Sequence, residues 1–545
     1  MKLLKSIGFV VLTLLIATQS VWAQNNLSEK DKPRLVVGIV VDQMRYEYIP
    51  LYWDKYGEDG FKRLVNEGYS FTNNHFNYFP TYTGPGHAAV YTGTTPAVNG
   101  IVGNSWYDRN IDKNMYVVAD STTTPVGTEG EAGKMSPANL MSTTVTDELK
   151  EANNDHKVIA LSIKDRGAVL PAGHVGDAAY WYEGDSGNFV TSSWYRDQLP
   201  KWIQNFNEEG LARELSNKTW ETLLPIENYT ESNADNTSYE GTFENEEAPV
   251  FPHDLEANRG DSYGIVSSTP FGNTLVKELA KSAIEGEDLG SDETTDFLGV
   301  SFSSTDYVGH QFGPNSIELQ DTYLRLDRDL ADLLNYLDKK VGEGNYLVML
   351  TSDHGAVDVP QELIDKKLPG GYFRSDAVID VLKGYLNRRY GEGEWVEAYA
   401  NQQVYLDHDL VNRNGVSLKE LQKEVAEFLL QFKAVNSTNT AYNYRTKGYS
   451  EGYQAMYQRG FQEDRSGDVF IQLKPGWLDS SYETGTSHGS PYNYDTHVPL
   501  LFYGWGVPQG SSSEKTTIPQ IAPTLSNMLG ISFPSGSSAK VLEFK

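Results

Sequence analysis

The chain has 545 residues, no cysteine, and a formal charge of −29 from 45 basic and 74 acidic side chains. Without thiols there are no disulfides, cysteine nucleophiles, thiolate metal sites or iron–sulfur clusters, so any metal must be held by Asp, Glu, His or hydroxyl groups. The acidic balance opposes general nucleic-acid binding, and a phosphate pocket here needs a local positive source, for which metal ions are one candidate.

In chain order, Met1-Lys2-Leu3-Leu4-Lys5 precedes an apolar run from Ile7 to Ala17, and Val21-Trp22-Ala23 precedes Gln24. A positive start, a short apolar stretch and a small-x-small site predict a signal peptide at 1–23 and a periplasmic or secreted protein. The run is too short to span a bilayer, and no later one is apolar enough, so no membrane attachment is expected after cleavage.

Arg34 to Val41 is a largely β-branched run leading into Asp42. It suits a strand buried on both faces, as in a parallel sheet covered by helices. The pattern recurs at Lys157 to Ile163, leading into Lys164-Asp165-Arg166, and at Asp296 to Phe302, leading into Ser303-Ser304-Thr305-Asp306. It recurs at Asn345 to Leu350, leading into Asp353-His354, while Val498 to Tyr503 follows a loop containing His488. Helical periodicity falls between these runs, at 273–284, 316–341 and 417–432. Strands alternating with helices predict an α/β fold with a central, mostly parallel sheet, whose functional residues lie beyond the strands' carboxyl ends. Two stretches fit this pattern poorly, at about 185–265 and about 357–480, and read as insertions forming a cap or subdomain.

Phe79-Pro80-Thr81-Tyr82-Thr83-Gly84-Pro85-Gly86-His87 reads as a turn entering a helix, with Thr83 as N-cap and Pro85 in the first turn. A helix N-terminus favours an anion, either a phosphate or the alkoxide of Thr83. By itself the stretch is an ordinary capped helix. Asp306 and His310 stand at i and i+4, on one face of a helix. With Asp42, Asp353, His354 and His488 they supply six oxygen or nitrogen ligands. Each also has a plain reading as a cap, a surface pair or a turn; their joint place at successive strand ends is harder to dismiss.

These segments resemble the alkaline phosphatase superfamily, in particular its PafA-type phosphate monoesterases. The resemblance rests on Val-Val-Asp42-Gln-Met-Arg, Pro80-Thr-Tyr-Thr83-Gly-Pro-Gly-His, Gly103-Asn104-Ser-Trp-Tyr-Asp, Lys164-Asp165-Arg166, Ser304-Thr-Asp306-Tyr-Val-Gly-His310, Asp353-His354-Gly and Thr486-Ser-His488, and runs from about residue 34 to the C-terminus. It implies an alkaline-phosphatase-like sandwich and one catalytic domain at 24–545 carrying the two insertions. It also implies two zinc ions, one held by Asp306, His310 and His488, the other by Asp42, Asp353, His354 and the Thr83 oxygen. Thr83 would be the nucleophile of a phospho-threonine intermediate, and Asn104, Lys164 and Arg166 would bind the non-bridging phosphoryl oxygens. Substrates would be small phosphate monoesters, and a monomer is expected.

The basic pair separates subclasses. Lys164 and Arg166 are two apart, so strand alternation would point them the same way. Two cations favour a monoester dianion over a diester, whereas the related nucleotide pyrophosphatases/phosphodiesterases lack that pair. Sulfatases need a formylglycine precursor, which a cysteine-free chain with Thr83 does not offer, and cofactor-independent phosphoglycerate mutases do not suit an exported protein. A non-catalytic envelope binding protein is the alternative from another class. His497 competes with His488 as ligand, with His488 preferred, and His87 reads as a structural hydrogen-bonding residue.

Overall fold

β1 (Leu35–Val41) is buried along its whole length. β-branched side chains on both faces of a strand need apolar cover on both sides, which a parallel sheet between helix layers provides. β1 is central in a ten-stranded sheet. The other strands are β2 (Tyr69–Phe71), β3 (Pro125–Val126), β4 (Val158–Ser162), β5 (Ala178–Glu183), β6 (Asn188–Ser192), β7 (Asp296–Phe302), β8 (Tyr346–Thr351), β9 (Leu500–Gly504) and β10 (Gly510–Ser512). Their spatial order is β10-β2-β9-β8-β1-β7-β4-β5-β6-β3. The middle five, β8-β1-β7-β4-β5, are parallel throughout. This computed structural model describes residues 31–545, and the signal peptide expected at 1–23 lies outside the described residues.

β9 runs antiparallel to β8, with Leu500 opposite Thr351. An antiparallel strand begins where its parallel neighbours end. The loop before β9, which holds His488, therefore lies at the same edge as the residues that follow β1, β7 and β8.

The pleat divides the core. Leu35, Val37, Ile39 and Val41 face one way, onto Leu275 and Leu279 of α3 (Phe271–Gly286) and Leu326, Leu330 and Leu333 of α5 (Ile317–Leu337). Val36 and Val40 face the other way, onto Tyr91 of α1 (Thr83–Thr92) and Leu525 and Leu529 of α6 (Ile521–Leu529). Two further helices, α2 (Asp165–Ala172) and α4 (Ser304–Phe312), start just beyond β4 and β7. The Ser316 hydroxyl caps α5 by accepting from the Leu319 N–H at 3.1 Å.

The two poorly patterned stretches differ in kind. The first supplies β6 to the main sheet, and its Ile203, Phe206, Trp220, Tyr229, Phe243 and Leu255 join the main core. The second builds an antiparallel sheet of its own, in the order Val396–Ala400, Gln403–Leu406, Val469–Leu473, Val435–Thr440. Helices Ser375–Tyr390 and Leu418–Leu429 close a separate apolar core around Leu382, Leu386, Leu421 and Val425.

Candidate active site

One side of the site is built from strand ends. Asp42 follows β1, Asp306 lies in the first turn of α4 after β7, and Asp353 and His354 follow β8. All four are fully or almost fully buried. The ligand-type atoms of Asp306, His310 and His488 lie within 4.8 Å of one another, as do those of Asp42, Asp306 and His354. Asp306 is thus shared by both groups. Asp353 sits beside the second group, with its Oδ2 3.6 Å from His354 Nε2 and 3.5 Å from His87 Nδ1.

The histidines are oriented alike. His310 Nδ1 lies 2.8 Å from the Thr486 carbonyl oxygen, His354 Nδ1 2.9 Å from that of Gly355, and His488 Nδ1 2.8 Å from that of Thr81. A carbonyl only accepts, so each Nδ1 carries a proton; the Nε2 of His354 and His488 then presents a lone pair inward, while His310 Nε2 faces Asp306 Oδ1 at 3.1 Å. Burial pushes His354 down to about 3, and burial with the neighbouring His354 holds His488 well below its ordinary value. Both are therefore neutral imidazoles.

The other side comes from α1 and distant loops. Tyr82 is the N-cap of α1, and Thr83 is its first helical residue. The Thr83 hydroxyl therefore does not cap the helix as expected; Oγ1 points into the site, 3.5 Å from His354 Nε2 and 3.4 Å from Arg166 Nη2. Gly86 lets α1 lie on the Asp353 loop, since a Cβ there would stand 2.2 Å from the Asp353 carbonyl oxygen. The helix terminus offers few donors of its own. Pro85 has no N–H, and the Gly84 N–H is taken by Asn104 Oδ1 at 2.7 Å. That bond occupies Asn104 Oδ1 and leaves its NH2 free to donate elsewhere.

Lys164 and Arg166 converge by a route other than strand alternation. β4 ends at Ser162, Lys164 caps α2 in an extended conformation, and Arg166 is already helical. Lys164 Nζ stands between the carboxylates, 2.6 Å from Asp42 Oδ2 and 2.5 Å from Asp306 Oδ2. Arg166 turns to Thr83 and to the Tyr116 hydroxyl, at 3.0 Å.

The charges leave room for cations. Lys164 pairs with only two of the three buried carboxylates, and Asp42 Oδ1 and Asp353 Oδ2 have no hydrogen-bond partner. Burial, reinforced by Asp306, raises Asp42; burial and Asp42 raise Asp353 well above the usual carboxylate range. Burial would raise Asp306 too, but His310 and Lys164 outweigh it and hold it well below that range. Unpaired buried carboxylate oxygens facing inward Nε2 lone pairs form a donor set that fits zinc.

Two participants carried no recognisable sequence signal. Gln43, next to Asp42, has φ +61. Its N–H donates to Asp353 Oδ1 at 3.2 Å and its side-chain amide to Asp306 Oδ1 at 2.6 Å, tying the two acids together. Tyr116 lies between Arg166 and Asp165, to which its hydroxyl donates. Of the weighed histidines, His87 bonds the Thr83 carbonyl and Ser301 Oγ, each at 3.0 Å. His497 stacks between Tyr46 and His75 and reaches the Thr72 carbonyl, apart from the acid–histidine groups.

The family described as type I phosphodiesterase / nucleotide pyrophosphatase matches residues 36–497. Alkaline phosphatase PafA of Elizabethkingia meningoseptica is 44% identical, with 93% of this chain and 94% of that protein covered. A Myroides odoratus protein called calcium-transporting ATPase is 45% identical, with 94% of each covered. Among the described residues no helix is long and apolar enough to cross a membrane. A crystal structure of wild-type alkaline phosphatase PafA superposes with a TM-score of 0.92 at 43% identity, over 95% of this chain and 99% of that one. The chain belongs to the PafA-type alkaline phosphatases, within the type I phosphodiesterase / nucleotide pyrophosphatase family, and is an enzyme of that class.

Proposed function

We propose that the protein is an exported hydrolase of small phosphate monoesters, with residues 24–545 as one catalytic domain carrying the two insertions. Two zinc ions would be held by Asp306, His310 and His488, and by Asp42, Asp353, His354 and Thr83 Oγ1. When bound they would supply Lewis acidity at the attacking and leaving oxygens. Thr83 Oγ, its proton lost to solvent, attacks phosphorus; the Oγ–P bond forms as the P–O bond to the alcohol breaks, the departing alkoxide takes a proton from solvent, and phospho-threonine results. Water then attacks the same phosphorus, releasing phosphate and restoring the hydroxyl. Arg166 and the Asn104 amide donate to the non-bridging oxygens, and Lys164 adds positive charge beside them. The 3.4 Å approach of Arg166 to Thr83 Oγ1 supports that reading.

The observation that carries this reading is the placing of Thr83 Oγ1 between the inward Nε2 of His354 and the Arg166 guanidinium. The test compares p-nitrophenyl phosphate with bis-p-nitrophenyl phosphate on purified protein whose zinc content has been measured. Faster monoester cleavage with about two zinc ions per chain is expected. Faster diester cleavage would favour a phosphodiesterase. A protein without zinc, inactive after zinc addition, would favour a binding role.

A further inference from the structure

The subdomain with its own core packs against a hairpin on the site's phosphate side. Ser105–Asp108 pairs antiparallel with Lys113–Tyr116, with Ser105 opposite Tyr116. One end of that hairpin therefore presents two site groups: Asn104, just before Ser105, and Tyr116, which holds Arg166. Where this end of the hairpin sits therefore decides where Asn104 sits.

The subdomain grips this end from outside. Asn401 and Gln402 form the two-residue turn between strands Val396–Ala400 and Gln403–Leu406, with φ +53 and +57. Both residues at positive φ mark the tight hairpin turn that suits Asn and Gly and is unusual for Gln. The turn is anchored by the Ile471 N–H donating to the Gln402 carbonyl at 2.9 Å. From it, the Asn401 amide donates to the Ser105 carbonyl at 2.7 Å. The contact is close: a Cβ on Gly103 would lie 2.4 Å from Asn401 Nδ2. The other end of the hairpin is held as well, by Arg109 donating to Asp468 at 2.7 Å and to the Ser466 carbonyl at 3.1 Å.

We infer that Asn401 is a positioning residue for catalysis, through which the subdomain sets the place of Asn104 against the phosphoryl group. Asn401 acts through the Ser105 carbonyl and its close packing on Gly103. The inference rests on the proposed role of Asn104, and its test separates the two.

Asn401→Gly keeps the positive-φ turn and removes the amide, so the fold is preserved. Asn401→Asp keeps the shape but replaces the donor by a carboxylate facing a carbonyl. Each is expected to lower kcat/KM for p-nitrophenyl phosphate by about tenfold, as misplaced positioning groups do, with zinc content and thermal midpoint unchanged. In an Asn104→Ala background, Asn401→Gly should have a much smaller effect, because the group it positions is gone. Full activity of Asn401→Gly would overturn the inference, and so would a tenfold loss that persists without Asn104. Full activity of Asn104→Ala alone would instead overturn the site assignment. If Asn401→Gly lowers the thermal midpoint, Asn401→Asp and the Asn104→Ala background still separate positioning from general destabilisation.

Discussion

The carboxylate–histidine side and the phosphate side of the site are built on opposite principles. On the first, Asp42, Asp306, Asp353 and His354 follow adjacent parallel strands whose register is set by a buried ladder, Val41 opposite Phe302 and Val40 opposite Thr351. Their convergence is a consequence of the sheet. On the second, Thr83, Asn104 and Arg166 come from a helix, a hairpin and another helix, and meet only through specific bonds such as Gly84 N–H to Asn104 and Arg166 to Tyr116. The first side holds three buried carboxylates against one lysine; the second carries Arg166 and is braced from outside. Changes on the first should therefore appear as lost metal, and changes on the second as lost rate with metal retained.

The largest effect is expected where the sides meet. Thr83→Ala should lower turnover about 10⁵-fold, as removal of a nucleophile does, and acid-quenched protein should hold no phosphate; turnover near wild type would end the nucleophile assignment. Asp306→Asn comes next, because Asp306 belongs to both ligand groups and pairs with Lys164. A loss of about 10³-fold is expected, with zinc content reduced by elemental analysis; full zinc occupancy would contradict the division. Arg166→Ala should cost about 10²-fold on monoesters, from lost charge-assisted bonds, with zinc retained and little change on diesters. Tyr116→Phe should cost about tenfold with zinc retained, because Arg166 loses an orienting partner. A zinc deficit in either of these last two variants would show that the sides are not separable.

The mildest test is pH. Burial lowers His310, but the Asp306 carboxylate more than offsets it, and the net shift is upward. A raised pKa means that the imidazolium persists to higher pH, where a metal must displace its proton. Zinc affinity by chelator competition should therefore rise with pH, by about tenfold per unit for one displaced proton, until His310 is neutral. Affinity flat with pH would place His310 outside the ligand set.

The sequence by itself determined the strand-end half of this enzyme. Continuous apolar runs bury only between two helix layers, a parallel sheet brings its carboxyl ends to one edge, and so Asp42, Asp306, Asp353 and His354 had to be neighbours. It also singled out Thr83, Asn104, Lys164 and Arg166 by type and motif, but with inexact local reasons. Thr83 is not the cap, and Lys164 and Arg166 do not alternate on a strand. Only the tertiary structure decided what holds those groups: Gln43 between two acids, Tyr116 against Arg166, and Asn401 against the Asn104 hairpin. Gln43 adjoins Asp42, but its bonds to Asp306 and Asp353 span hundreds of residues; Tyr116 and Asn401 are ordinary polar residues far in sequence from the groups they orient. Periodicity and spacing report only local geometry, whereas a hydrogen bond across the fold exists only once packing has brought its partners together.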